Sequence, residues 1–190
     1  MAQDELPSLE LETVRLMIGG GPEVLIRRAL DKLGIVAGTN EVRRLTKSFE
    51  DTYSKQGNSL TRLFPGAISC LENLDNQGVA IGLCSNKPEH ICHQLLADLG
   101  VQHFFDVIQG SGSGLPTKPH PAALIAALHR LGVSAEQALY VGDSQTDVDT
   151  ARAAGLVVAL IKGGYTAVPA DSLGADWVLE GLVGISSIWQ

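Results

Sequence analysis

The chain is predicted to be an α/β protein: a doubly wound, mainly parallel sheet preceded by a small all-helical region. Three observations carry that expectation. After Phe64-Pro65-Gly66, short apolar runs alternate with helical patterns, the rhythm of a parallel sheet covered on both faces. Before that point the apolar positions keep only a helical period. The polar residues of chemical interest follow the apolar runs directly, where ligands sit in open parallel sheets.

From Leu9 to about Tyr53 the helical segments are marked by Leu11, Val14 and Ile18, then Val24, Leu25 and Leu30, then Val42, Leu45 and Phe49. Ser8 is the expected N-cap of the first, with Glu10 and Glu12 in its first turn and Gly19 to Gly21 as its stop. Pro22 suits the first turn of the second helix, where its missing N–H costs nothing, and Gly34 suits that helix's end.

In the second half the expected strands are Val79 to Cys84, Phe105 to Ile108, Ala138 to Val141 and Leu156 to Ile161. Helical patterns lie around Ile91 to Leu99, Ala122 to Leu131 and Val148 to Ala154. A short strand near Trp177 to Leu179 and a closing helix toward Trp189 complete the series. Ser85, Asn86 and Lys87 follow the first run, Lys118 follows the loop after the second, and Gly142 to Asp147 follow the third. In a parallel sheet these loops converge on one edge.

At 190 residues the chain can bury a real core. Its 45% apolar and 18% charged composition is that of a folded α/β protein rather than a disordered one. The net charge of -7, with 14 Lys and Arg residues forming no basic stripe, argues against nucleic acid and anionic membranes as partners. Cys70, Cys84 and Cys92 make neither a Cys-x-x-Cys pair nor an even disulfide set, which points to buried thiols in a reducing compartment. Met1 to Ser8 is polar and acidic, and no stretch approaches the roughly 20 apolar residues of a membrane span, so a cytoplasmic protein is expected.

A phosphoryl group crossing between oxygens spreads negative charge over its equatorial oxygens, so its site needs a cation, a metal and oriented donors. Lys118, in Lys-Pro-His-Pro, can be the cation. Ser85 offers a hydroxyl, and the backbone N–H groups that follow it, beginning at Asn86, can hold phosphate oxygens. Asp143 can bind Mg²⁺, a hard ion that prefers carboxylate and water oxygen, while Asp147 can assist the metal shell or orient Lys118. Singly, each has a plainer role. Lys118 reads as a surface lysine, Ser85 as the N-cap of a helix beginning near Pro88, and Gly142-Asp143-Ser144 as a strand-to-helix turn with a capping Asp. Their joint order along the chain is what points to function. Lys118 and Ser85 are the candidate catalytic residues; Ser85, Asn86 and Lys118 the candidate substrate-binding residues; Asp143 and Asp147 the candidate metal ligands.

On these residues the chain resembles the haloacid dehalogenase-like hydrolase superfamily, and within it the phosphoglycolate phosphatase branch. Ser85 matches the second family motif, which contributes the phosphate-binding hydroxyl, and Asn86-Lys87-Pro88-Glu89 is also similar to that branch. Lys118 in Lys-Pro-His-Pro matches the third motif. Gly142-Asp143-Ser144 with Asp147, continued by Ala151, Ala154 and Gly155, matches the fourth. Leu9 to about Leu60, including Val14-Arg15-Leu16-Met17-Ile18-Gly19, resembles the family's helical cap. The resemblance implies a Rossmann-like core over residues 65–190 with a helical cap over residues 1–64. It also implies Mg²⁺ as cofactor and hydrolysis of a small phosphorylated metabolite, 2-phosphoglycolate first. Dehalogenation ranks lower, because Gly-Asp-Ser with Asp147 suits a metal-dependent phosphatase. The alternative is a noncatalytic phosphate-binding or regulatory protein that keeps the same pocket.

One family feature has no counterpart. Members open with a strand carrying Asp-x-Asp, whose first Asp attacks phosphorus and whose second is the general acid and base. Asp4-Glu5-Leu6 is not preceded by an apolar strand and stands directly before the first helical segment, so the nucleophile's role does not transfer to it. In the resembling fold the opening strand lies between the runs at Val79 to Cys84 and Ala138 to Val141. Without it the sheet would hold a slot about 10 Å wide, at roughly 4.8 Å per strand spacing, with two rows of unpaired backbone groups. The expectation is an impaired enzyme with a truncated or miscalled start. Direct closure of the flanking strands, strand donation by another chain and a homo-oligomer are the other outcomes such a slot admits.

Three further patterns are weak. Gly110-Ser-Gly-Ser-Gly114 lacks the Gly-Lys of a nucleotide-binding loop and reads as a mobile loop before Lys118. His90-x-x-His93 with Cys92 has no partner ligands at zinc spacing and reads as a solvated helix face. Arg43-Arg44 reads as a surface charge pair rather than a carboxylate clamp.

Overall fold

The computed structural model describes residues 6–56 and 60–189, so Asp4 and Glu5 lie outside the described residues. The chain divides into Met1–Ser59 and Leu60–Gln190. The expected boundary at residue 64 falls inside the second unit, where Leu63 already packs against the cluster of Cys92, Leu96, Val101 and Ile108.

The first unit is helical: α1 (Leu11–Arg15), α2 (Pro22–Lys32) and α3 (Thr39–Gln56). Helix α1 is shorter than the periodicity predicts. It starts after Glu10, not after Ser8, and no side chain caps it. The helix winds down through the turn-forming residues Leu16 to Ile18 before Gly19. Pro22 does open α2, after Gly21 at φ 88°. Gly34 closes it at φ 70°, with the Gly34 N–H on the Asp31 carbonyl and the Ile35 N–H on the Leu30 carbonyl. Ile26 and Leu30 from α2 meet Val42 and Leu45 from α3 in one small core, with Phe49 packed against it. Each such burial contributes about 2 kcal/mol, enough to hold two amphipathic helices that would be marginal alone.

The second unit begins with α4 (Ala67–Asn76) and continues as β1 (Gly82–Pro88), α5 (Glu89–Asp98), β2 (Val107–Ser111), α6 (Ala122–Leu131), β3 (Leu139–Gly142), α7 (Gln145–Ala154), β4 (Val157–Ile161), β5 (Trp177–Leu179) and α8 (Ile185–Ile188). Every ladder is parallel. Period-2 alternation accounts for the layering. Tyr140, Val158 and Leu160 face one side with Leu124, Leu128, Val148 and Ala151 from α6 and α7. Leu139, Val141, Ile161 and Leu179 face the other side with Cys70 and Leu74 from α4 and Ile185 from α8. The α/β class with parallel strands covered on both faces is therefore the observed one.

Two strand expectations shift. β1 starts later than Val79 and runs on to Pro88, so Ser85, Asn86 and Lys87 lie in its irregular last stretch, where the register with β2 breaks between Cys84 and Pro88. β2 starts at Val107 because Gln102–Phe104 form a 3₁₀ turn whose aromatic residues Phe104 and Phe105 pack against the Cys92 and Leu96 cluster. Among the described residues the strands make two sheets, β1 with β2 and β3-β4-β5, and β1 does not pair with β3. Direct closure of the flanking strands is thus not how the chain folds. Instead α6 packs against β1, β2 and α7 alike and ties the two sheets together.

Candidate active site

The carboxyl ends of β1 and β3 bring the polar residues together. Asp147 sits on the first turn of α7, and its approach to the strand end requires Gly142, because a Cβ at that position would collide with the Asp147 side chain. Its carboxylate, 5% exposed, accepts five hydrogen bonds: Lys118 Nζ at 2.7 Å and the Tyr140 hydroxyl at 3.2 Å on Oδ1, then Asp143 N at 3.2 Å, Ser144 N at 3.1 Å and Ser144 Oγ at 2.6 Å on Oδ2. Of the two roles open to Asp147, partner of Lys118 or metal shell, the geometry shows the first. Both of its oxygens are committed.

Ser144 is the N-cap of α7 and forms a capping box with Asp147. The strand-to-helix turn read from the sequence is therefore present, with Ser144 rather than Asp143 as the cap. That leaves the Asp143 side chain out of the cap and at the strand end. A backbone hydrogen bond from Tyr165 reaches it, and Gly164 lies so close that a Cβ would meet the Asp143 main chain and Cβ.

The Lys118 side chain is nearly buried, and its ammonium donates to the Tyr140 hydroxyl at 2.9 Å as well as to Asp147. Its backbone is held separately. The Asn86 side-chain amide donates Nδ2 to the Lys118 carbonyl at 2.9 Å and accepts the Lys118 N–H on Oδ1 at 2.7 Å. Asn86, expected at the substrate, thus fixes the main chain of Lys118 from β1. Ser85 is not a helix cap: Pro88 precedes α5, and Ser85 Oγ instead accepts the Lys87 N–H at 3.1 Å.

The electrostatics follow from burial and charge. Burial works against the Lys118 ammonium, but the Tyr140 phenol and the Asp147 carboxylate hold its pKa above the usual lysine value. Burial would raise Asp147, yet the charge and hydrogen bond of Lys118 outweigh it and keep the carboxyl below its ordinary range. Asp143 goes the other way, pushed up first by burial and then by the neighbouring Asp147 charge. A carboxylate so placed suits a hard cation, whose charge would offset both effects. Among the described residues no group of three His, Cys, Asp or Glu side chains gathers, so Asp143 would share such an ion with water and ligand oxygens.

Tyr140 was not legible as a site residue. It reads as one apolar position of a strand, and only packing shows its hydroxyl between Lys118 and Asp147 and 3.4 Å from the Cys84 carbonyl of β1. Outside this cluster, Cys92 is buried while His93 bonds Gln102, so the His90–His93 stretch builds no site. Arg44 pairs with Glu41 one turn back on α3. A cavity of about 370 Å³ lined by Arg27, Leu30, Asp31 and Val36 lies within the helical unit and involves none of the residues above. No helix among the described residues is long and apolar enough to cross a membrane.

Fold and site define a class: a parallel α/β protein with a buried Lys-Tyr-Asp cluster and an adjacent carboxylate at the carboxyl edge of its strands. The chain belongs to the haloacid dehalogenase-like hydrolase family, whose model matches residues 1–161. Among its relatives, the phosphoglycolate phosphatase of Haemophilus influenzae (strain 86-028NP) is 34% identical over 194 aligned positions, covering 99% of this chain and 86% of that protein. The phosphoglycolate phosphatase of Rhodospirillum rubrum is 37% identical over 184 positions, covering 95% and 76%. The crystal structure of a predicted phosphoglycolate phosphatase from Haemophilus somnus 129pt is similar with a TM-score of 0.90 at 29% identity, over 100% of this chain and 86% of that one.

Proposed function

We propose that this site binds the phosphate of a small phosphate monoester for Mg²⁺-assisted hydrolysis, 2-phosphoglycolate being the first substrate to test, and that this chain is impaired: with Asp143 read as the metal ligand and Asp147 committed to Lys118, no carboxylate of this cluster is left to attack phosphorus. The observation that carries the reading is the Lys118 ammonium, nearly buried and held by Asp147 and Tyr140, which keep it above the usual lysine pKa. A fixed cation in a low-dielectric setting stabilises charge on phosphate oxygens without reorganising as the charge grows. Asp147 keeps Lys118 protonated, Asn86 fixes its main chain, and Ser85 offers its hydroxyl from the end of β1. Asp143 would hold Mg²⁺, which supplies charge neutralisation at the phosphate when bound. The names of the relatives support phosphoglycolate as substrate.

The experiment is a phosphate-release assay with 2-phosphoglycolate and a panel of small phosphate esters, with and without MgCl₂. Turnover that is weak, requires Mg²⁺ and is lost in Lys118→Met and Asp143→Asn is the expected result. A second reading, a noncatalytic phosphate-binding protein, is favoured by the commitment of both Asp147 oxygens, which leaves Asp143 as the carboxylate of this cluster open to other work. Phosphate binding without turnover at any Mg²⁺ concentration would place that reading first.

A further inference from the structure

The glycine-rich segment before Lys118, read from the sequence as a mobile loop, is tied down where it leaves β2. Gln109, 3% exposed, donates from Nε2 to the Gly110 carbonyl at 3.1 Å and to Ser113 Oγ at 3.1 Å. Its other amide atom, Oε1, accepts Arg130 Nη1 at 3.2 Å, and the same nitrogen holds the Ile108 carbonyl at 3.1 Å. Glu89, first residue of α5, accepts the Gly110 N–H on Oε2 at 3.1 Å. Gly110 lies so near the Glu89 backbone that any Cβ would collide with it. The far end of the same loop is the Lys118 peptide clamped by Asn86. Both ends therefore hang on one junction, residues 86–89 of β1 and α5, and the buried amide of Gln109 fixes the path between them.

We infer that Gln109, supported by Glu89 and Arg130, is a positioning residue that sets the Gly110–Thr117 loop and thereby the placement of the Lys118 ammonium for phosphate. A buried Gln that spends one donor on the end of its own strand, at Gly110, and the other on the hydroxyl of Ser113 beyond it ties the start of the loop to β2. The loop also contains Gly112 at φ 99° and Gly114 at φ 81°, and such residues leave the chain flexible without a tie. The inference rests on the proposed phosphate site for its functional meaning, but the placement of Lys118 can be read without any ligand.

The test is Gln109→Met, which keeps nearly the same volume and removes the amide's donors to Gly110 and Ser113 together with its acceptor for Arg130, with Ser113→Ala as a second variant that loses only the outer tie. Two quantities are measured at a temperature where thermal unfolding shows all proteins folded. One is the ¹⁵N resonance of the Lys118 side-chain ammonium in the ligand-free protein, assigned by its loss in Lys118→Met. The other is calorimetric affinity for inorganic phosphate with MgCl₂. The expected result is a weakened or missing ammonium resonance in Gln109→Met, a smaller effect in Ser113→Ala, and phosphate affinity down about fivefold, the scale of one lost hydrogen bond. An unchanged ammonium resonance in both variants overturns the inference whatever phosphate does. A resonance that weakens while the unsubstituted protein binds no phosphate upholds the positioning of Lys118 and overturns the phosphate site instead.

Discussion

At the scale of single residues the Lys118–Asp147 pair is the most consequential contact. Both side chains are nearly buried, and the ion pair is 2.7 Å long. Such a pair is a weak source of net stability, because desolvation offsets most of the attraction, but breaking it leaves one charge stranded. Asp147→Asn is therefore expected to cost about 3 kcal/mol in urea unfolding at neutral pH. The pH dependence follows from the signs. Asp147 is held below its ordinary pKa, so its contribution is complete above the ordinary carboxylate range and is lost as pH falls through the lowered value. Lys118 is held above its ordinary value, so its contribution is complete below the ordinary lysine range and is lost only as pH rises through the raised one. The difference between the unsubstituted protein and Asp147→Asn should be flat near neutrality and shrink on the acid side. Asp143 has the opposite sign: its pKa is raised, so its charged form at neutral pH costs stability. Asp143→Asn should raise the thermal midpoint without metal and remove any further rise that MgCl₂ gives, which scanning calorimetry reads directly. Ser85, Lys118, Asp143 and Asp147 were visible in the sequence as polar residues trailing apolar runs. Tyr140 was not, because it sits inside a strand pattern that its hydroxyl does not interrupt, and Gln109 was not, because it reads as one more polar residue after the Phe105 to Ile108 run.

At the scale of elements, the junction between β3 and α7 is packed too closely to admit a side chain at Gly142. Gly142 allows the Asp147 side chain to lie against the strand end. Gly142→Ala should displace Asp147, costing about 2 kcal/mol as an overpacking substitution and loosening Lys118 with it; equilibrium unfolding measures the first effect. Leu160, fully buried at 0% exposure in β4, the middle strand of its sheet, tests the sheet itself. Leu160→Ala is expected to cost about 3 kcal/mol by loss of burial and the cavity left behind. Helix and strand types were legible because long amphipathic or β-branched stretches were bounded by Gly and Pro. Boundaries were less so. β1 extends past Cys84 because Pro88 still pairs with Ser111 of β2, and α1 stops early at Arg15, with a turn rather than a helix leading into Gly19.

At the scale of the whole molecule, two units are built around separate cores, one of α2 with α3 and one of strands covered on both faces. Within the second unit, β1–β2 and β3–β4–β5 are separate sheets among the described residues, and the Tyr140 hydroxyl, Lys118 and α6 reach across from one to the other. A ligand held by groups from both sheets should then stabilise the unit as a whole. With MgCl₂ and phosphate each near 100 times its dissociation constant, linkage gives up to about 2.7 kcal/mol per site. The expected outcome is a single thermal transition of the second unit that moves up with ligand, and a midpoint insensitive to both would count against the site.

The class of fold, the order of helices and parallel strands, and the edge on which Lys118 would meet the Asp143–Asp147 turn were legible in the local pattern. Those follow from periodicity and turn chemistry, which act over a few residues and leave a mark in the local pattern. Long-range packing settled that Asp147 serves Lys118, that Asn86 grips the Lys118 backbone, that the Tyr140 hydroxyl joins them, and that among the described residues β1 does not pair with β3. Each of these joins residues far apart in the chain, where the choice of partner is settled by packing and by the cost of leaving a buried polar group unsatisfied, and neither is written in any local stretch.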